Sequence, residues 1–297
     1  MKLKKTFFNG PSMANRNLTV FAICVVIFFA GFLLNGNTAM FFNLSGIAIV
    51  LGGTFGAALI SFRLERLVTV YKVLSGSYRR PLKKESEIIE VMVDLSVKRK
   101  LKGLLSLEED EEEATMLLLR RALGYLVDGY PAEQIRDLLN TEINFFKLRR
   151  DDSERVLRTL AEICPSFGVV GSVVGLIAML SGIDDTSVIL KTIPVALTST
   201  LYGVVLSNFL FLPFAANIQE RTNHELLLGK IIIEGVVAIS SELHPRTLEY
   251  KLKSFLTPSS RQGRLVSLDR IRKRFNLGNE PADKNLENHG TLRKHSF

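Results

Sequence analysis

Charged and apolar residues are segregated into blocks along this chain. Four stretches contain no Asp, Glu, Lys or Arg: residues 18–34, 44–62, 163–182 and 192–214. A helix needs about 20 apolar residues to cross the hydrocarbon core of a bilayer, so each qualifies as a span. The last two are joined by the short hinge 182–191, which makes them a helical hairpin in a membrane. Basic residues precede the first span, as in a signal peptide. No small-residue cleavage site follows it and a second span comes almost at once, so it reads as a retained anchor.

Between the second and third spans the periodicity changes. In residues 63–162, Ile88, Val91, Met92 and Leu95 recur at helical spacing, followed by Leu117, Leu118, Leu123 and Leu126 and then Ile135, Leu138, Leu139 and Ile143. Gly129 and Pro131 mark a helix end and a restart. The stretch predicts a helical domain. After the fourth span, residues 215–257 read as a cytoplasmic helical segment whose main helix, 217–243, is stopped by His244 and Pro245. Residues 258–297 carry many charges and few aromatics, the composition of a basic mobile tail. Within it RLVSLDRIRKRF can also form a short basic amphipathic helix on the inner membrane surface.

The chain has 297 residues, 47% of them apolar, and a net charge of +8. Its basic residues fall before the first span, between the second and third, and after the fourth, with Lys191 alone in a short inter-span loop. By the positive-inside rule both termini and the domain 63–162 are cytoplasmic, and residues 1–17 form a cytoplasmic N-terminus. The charge is therefore topological, and no nucleic-acid module accompanies it. Cys24 and Cys164 lie in different spans, and His224, His244, His289 and His295 lack ligand spacing. These patterns offer no disulfide framework, metal site, cofactor or catalytic centre.

The chemistry that remains is in the hairpin. Gly168, Gly171, Ser172 and Gly175 put tiny side chains on one face of the third span, which allows close helix packing. Thr198, Ser199, Thr200 and Tyr202 form a mid-span hydroxyl belt in the fourth. These hydroxyls read either as the lining of a path or as packing residues bonded to their own backbone. Pro165 and Pro213 fall at matching depth at the cytoplasmic boundary, where they can act as a hinge or as ordinary helix-end prolines. No carboxylate, His or Lys lies within any of the four spans. A transported ion would need such a group mid-bilayer, so the transport reading requires a second polypeptide to supply it. In the cytoplasmic domain Lys98, Arg99, Lys100 and Lys102 are followed by the acidic run 108–113, which reads as a docking face or as solvated surface.

The segments CPSFGVVGSVVGLIAMLSGIDD, VALTSTLYGVVLSNFLFLPFA and SGIAIVLGGTFGAALISF, with GLLSLEE and LVDGY, resemble the stator subunit of the bacterial flagellar motor. This is the MotA or PomA type, within the wider group that includes TolQ and ExbB. The resemblance runs from about residue 18 to 257. It implies an all-α integral membrane protein with four transmembrane helices and a helical cytoplasmic domain inserted between the second and third, assembling as a homopentameric ring in the bacterial inner membrane. It further implies a partner of the MotB or PomB type whose Asp carries H+ or Na+, and a rotor protein, FliG, pushed by the cytoplasmic domain.

Carried onto this sequence, the resemblance makes Pro165 and Pro213 the coupling prolines and Ser172 and Thr200 ion-path residues, and Thr198 of the hydroxyl belt is expected to join them. Gly168, Gly171 and Gly175 are, from their spacing, the expected close-packing glycines. The resemblance puts Lys100, Glu108 and Glu109 on rotor-facing positions, and Arg99 and Lys102 of the same charged run complete the expected rotor interface. Leu101 departs from a place that is often basic, and SELHPR lacks the Gly and Asn of the usual turn, so the same turn is expected with altered capping. No covalent chemistry is implied. The competing readings are an energiser of the TolQ or ExbB type, which has three spans, and a membrane scaffold without transport.

Overall fold

The computed structural model describes residues 41–79, 83–114, 116–258 and 261, together with Val20, 23–28, 30–31 and Leu34. The expected N-terminus 1–17, nearly all of the expected tail and its RLVSLDRIRKRF segment lie outside the described residues. Regular structure among the described residues is helical: α1 (Leu44–Ser61), α2 (Leu64–Arg79), α3 (Glu85–Lys102), α4 (Glu108–Glu113), α5 (Leu117–Val127), α6 (Ala132–Ser181), α7 (Thr186–Leu206), α8 (Leu212–Ser240) and α9 (Pro245–Lys253). A 3-10 turn, Leu104–Leu107, precedes α4, and a π turn, Ser207–Phe211, joins α7 to α8. Three stretches among the described residues are long and apolar enough to cross a membrane: Leu44–Ser61, Ala132–Ser181 and Thr186–Ser240. In the first apolar block, positions 20, 23–28, 30 and 31 are helical.

The chain divides into two compact units. The first comprises Met1–Lys83 and Asn140–Gly229. Val50 and Ala58 of α1, Val70 of α2, Leu157, Leu160 and Cys164 of α6, Phe211 of the π turn and Ile218 of α8 pack into one buried cluster. Arg66 to Asp152 and Arg150 to Glu225, both at 3.4 Å, tie the polar ends of these helices together. Asn43 caps α1 by accepting from the Gly46 N–H at 3.2 Å.

The second unit comprises Lys84–Leu139 and Lys230–Phe297. Its core takes most of the residues whose spacing predicted helices: Ile88, Met92 and Leu95 of α3, Leu123 and Leu126 of α5, and Ile135 and Leu139 of α6 are buried, while Leu117 and Leu138 of the same repeats are exposed. Ile231, Ile232, Val236 and Ile239 of α8 and Leu248 and Leu252 of α9 complete it. Gly235 makes room for Met92, whose sulfur lies 2.6 Å from where a Cβ would stand.

The helices differ from the sequence expectation at three places. α6 is one helix of 50 residues, so the change from charged to apolar side chains at 162–163 does not interrupt it. Apart from the one bond that Pro165 cannot make, backbone hydrogen bonding within a helix continues across such a boundary; only the side chains change. The expected hinge 182–191 shrinks to four residues, because the Asp185 carboxylate accepts from the Ser187 N–H at 2.8 Å and starts α7 at Thr186. Likewise His244 and Pro245 do more than end α8. The His244 ring accepts from the Arg246 N–H and Pro245 occupies the first turn of α9, while the reversal itself is made at Glu242 with φ 55°.

Candidate functional site

The glycine stripe of α6 faces α7, and its spacing is read out in backbone contact. A Cβ on Gly175 would stand 2.7 Å from the Ala196 nitrogen, and one on Gly168 would stand 3.0 Å from the Ser199 carbonyl oxygen. Gly171 receives the Ser199 side chain, with only 2.6 Å to its Cβ. Gly203 answers from α7: a Cβ there would lie 2.8 Å from the Cys164 carbonyl oxygen and 3.1 Å from the Pro165 Cα. These separations exclude any larger residue without moving a helix. The valines and leucines on other faces of α6, among them Val169, Val173, Ile177 and Leu180, stand exposed.

This close approach brings Ser172 and Thr200 together. Their hydroxyl oxygens lie 2.6 Å apart, and both are half-buried. Ser172 also donates to the Ala196 carbonyl across the helix interface, with the Gly168 carbonyl at 3.3 Å. Thr200 donates to that same Gly168 carbonyl at 3.4 Å. Four oxygens from two helices thus meet at one point.

The other belt residues behave differently. Thr198 is buried and donates to the Pro194 carbonyl at 2.6 Å, and Ser199 does the same to the Val195 carbonyl at 2.6 Å. Both hydroxyls are satisfied within their own helix, one turn back. The Tyr202 hydroxyl accepts from the Asn43 N–H at 2.8 Å and donates to the Phe41 carbonyl, so it fastens α7 to the start of α1. That role carries no sequence signal, because nothing in the pattern places Asn43 beside Tyr202.

Pro165 lies inside α6 and Pro213 in the first turn of α8, immediately after the π turn. A π turn inserts one residue into the helical path, a common accommodation near a proline. No group of three or more His, Cys, Asp or Glu among the described residues could hold a metal ion.

In the second unit the charged run of α3 and α4 is partly consumed internally. Lys98 pairs with Asp110 at 2.7 Å and with Glu109 at 3.8 Å. Arg99 is largely covered and pairs with Glu242 at 3.2 Å. Lys100, Lys102 and Glu108 are exposed, and Leu101 and Leu105 stand exposed among them. The expected interface residues therefore split into a structural pair partner, Arg99, and a free set around Lys100.

A family model described as the MotA/TolQ/ExbB proton channel family matches residues 108–229. Motility protein A of Borreliella burgdorferi is 33% identical over 222 residues, covering 75% of this chain and 85% of that protein. Chemotaxis protein PomA of Vibrio alginolyticus is 32% identical over 228 residues, covering 77% and 89%. The chain belongs to the MotA/TolQ/ExbB family. Within it the chain is a MotA-type flagellar stator subunit, and its fold agrees with that assignment. The flagellar MotAB stator complex from Bacillus subtilis matches with a TM-score of 0.75 at 27% identity, over 82% of this chain and 96% of that one. A C. jejuni MotAB structure shares the fold with a TM-score of 0.76 over 84% and 98%.

The sequence grouped the hairpin's hydroxyls as one set. It did not separate the pair that spans two helices, Ser172 and Thr200, from the two that bond to their own backbone.

Proposed function

We propose that this stator subunit forms the ion-conducting and torque-generating unit with a MotB- or PomB-type partner. That partner supplies the membrane carboxylate that this chain's spans lack, and H+ or Na+ is the transported ion. Ser172 and Thr200 flank that carboxylate. Pro165 and Pro213 pass its occupancy to the cytoplasmic domain, and the exposed set Lys100, Lys102, Glu108 and Glu109 meets the rotor protein FliG by charge complementarity. The assembly is a homopentameric ring of four-span subunits with both termini cytoplasmic, in the bacterial inner membrane. The exposed apolar residues of α6 support further subunits or lipid around it. The subunit performs no covalent chemistry.

The observation that supports this reading is the Ser172–Thr200 oxygen cluster, where two half-buried hydroxyls from two helices meet 2.6 Å apart. Rotation of tethered cells with this chain and its partner as the sole stators tests it. Speed that tracks sodium and survives a protonophore assigns Na+; speed indifferent to sodium and abolished by the protonophore assigns H+. Unchanged rotation in a Ser172→Ala/Thr200→Ala double variant would remove the hydroxyl pair from the path.

A further inference from the structure

Ser207 is the one hydroxyl of the α7–α8 segment that crosses to the neighbouring helix at the level of the prolines. Pro165 has no N–H, so the carbonyl four residues before it, that of Ala161, loses its helical partner. Ala161 is 3% exposed, so its carbonyl lies away from bulk solvent and needs a partner from the protein. Ser207, itself 4% exposed, donates its hydroxyl to this carbonyl at 2.7 Å. The usual choice for a serine in a helix is its own carbonyl one turn back, as Ser199 makes to Val195 and Ser153 to Arg149. Ser207 does not take it.

The same residue opens the π turn. The Ser207 carbonyl accepts from the Leu212 N–H, five residues on, which closes the widened turn directly before Pro213. One side of Ser207 therefore completes the irregularity that precedes Pro213, and the other fills the acceptor that Pro165 leaves open. The backbones are close enough for this to be a tight link: Gly203, four residues earlier, lies against Cys164 and Pro165.

We infer that Ser207 is a positioning residue that couples the two prolines, joining the acceptor left open in α6 to the turn in α7–α8 through the Ala161 carbonyl. The inference rests on the reading of Pro165 and Pro213 as the coupling elements of the stator and names the contact through which they act together. It assigns Ser207 no contact with the transported ion. The hydroxyl matters only while residue 165 is proline, because any other residue there returns an N–H to Ala161.

The test is a double-variant cycle in the full chain with its membrane partner. Ser207→Ala, Pro165→Ala and the double variant are compared for thermal unfolding of the purified complex, and Ser207→Ala and Ser207→Thr for rotation speed at matched membrane level. The expected result is a lowered midpoint and at least a severalfold lower speed for Ser207→Ala, with Ser207→Thr restoring both. In the Pro165→Ala background Ser207→Ala produces no further fall in midpoint. If Ser207→Ala fails to assemble, the double variant recovers membrane level. An equal fall in both backgrounds, no recovery by the double variant, or wild-type speed in Ser207→Ala overturns the inference. Normal rotation in Pro165→Leu and Pro213→Leu, with the cycle as expected, instead removes the coupling role of the prolines and leaves the hydrogen bond as structure alone.

Discussion

Ser172 and Thr200 are related by exchange: each hydroxyl reaches the carbonyl that lies one turn before the other, Ser172 to Ala196 and Thr200 to Gly168. Two hydroxyls carry two hydrogens, and these are shared among two carbonyls and the 2.6 Å contact between the oxygens. When both hydrogens point at carbonyls, the lone pairs of both oxygens are free for a third group. Thr200→Ala leaves Ser172 with no side-chain neighbour in this cluster, and Thr200→Ser restores the exchange. An interaction of about 1–3 kcal/mol lost at such a site corresponds to about a 5- to 150-fold loss of ion occupancy. Rotation speed at matched membrane level is expected to fall accordingly in Thr200→Ala and Ser172→Ala and to survive in Thr200→Ser; equal speeds in all three would exclude the pair from the path.

The contact that brings this pair together sets the second expectation. Gly203→Val drives a side chain into the Cys164 carbonyl and the Pro165 Cα, both backbone groups that cannot step aside. Overpacking of this kind costs about 1–3 kcal/mol, and more where backbone must move. Gly76, in α2, has nothing within 4 Å of its Cβ position. Thermal unfolding of the purified complex is expected to show a clear fall for Gly203→Val and none for Gly76→Ala.

Much of this was legible in the chain because the signals are periodic. Ile88, Met92, Leu95, Leu123, Leu126, Ile135 and Leu139 all occupy cores, and Gly168, Gly171 and Gly175 all meet α7, since a 3.6-residue repeat states which side of a helix is covered. What escaped has no periodicity. Ser207 looks like any helical serine until Ala161 is placed beside it. The extent of α6 was hidden because composition changes at residue 163 while the backbone does not. Asp185, as a cap, shortened a hinge that had been read from charge alone.

Glu242 was expected to sit in a turn with altered capping, and it holds the left-handed conformation that glycine takes without strain. A non-glycine residue pays about 1 kcal/mol or more there. Its ion pair with Arg99 does not offset this, because the Glu242 side chain is 83% exposed and such pairs contribute about 0–1 kcal/mol. Glu242→Gly is therefore expected to raise the unfolding midpoint slightly. A lower midpoint would mean that the covered Arg99 guanidinium depends on the carboxylate more than its exposure implies.

Glu234 is expected to make the second unit sensitive to acid. Burial pushes its carboxyl pKa up, but hydrogen bonds and charge from Lys251 and Arg136 together outweigh that and hold it below the ordinary value of 4.5. A depressed folded pKa means that its contribution is complete above the ordinary value and is lost as pH falls through the lower folded one. Glu234→Gln loses both ion pairs at every pH, a cost of about 1 kcal/mol at neutrality because solvent screens the half-exposed Arg136 and Lys251, and flattens the acid limb. Unfolding midpoints of the purified complex from neutral pH to pH 3 are expected to converge for the two proteins at the acid end. Parallel curves would assign the acid sensitivity to other carboxylates.

Arg99 and Lys100 are adjacent in sequence, yet the fold gives them different work, and that difference can be measured. Arg99 is covered and joined to Glu242, so Arg99→Ala removes a packed stem and leaves that carboxylate alone. Lys100 is exposed among Lys102, Leu101 and Leu105, with no packing to lose. If the free set meets a charged rotor surface, Lys100→Glu reverses one contact without touching the fold. The expected pattern is a lowered unfolding midpoint for Arg99→Ala, and an unchanged midpoint with impaired rotation for Lys100→Glu. A charge reversal on the rotor protein is then expected to restore rotation to Lys100→Glu and not to Arg99→Ala. Rotation that survives Lys100→Glu at full speed would shift the contact to Leu101 and Leu105, where it would be made by apolar burial and would be insensitive to charge.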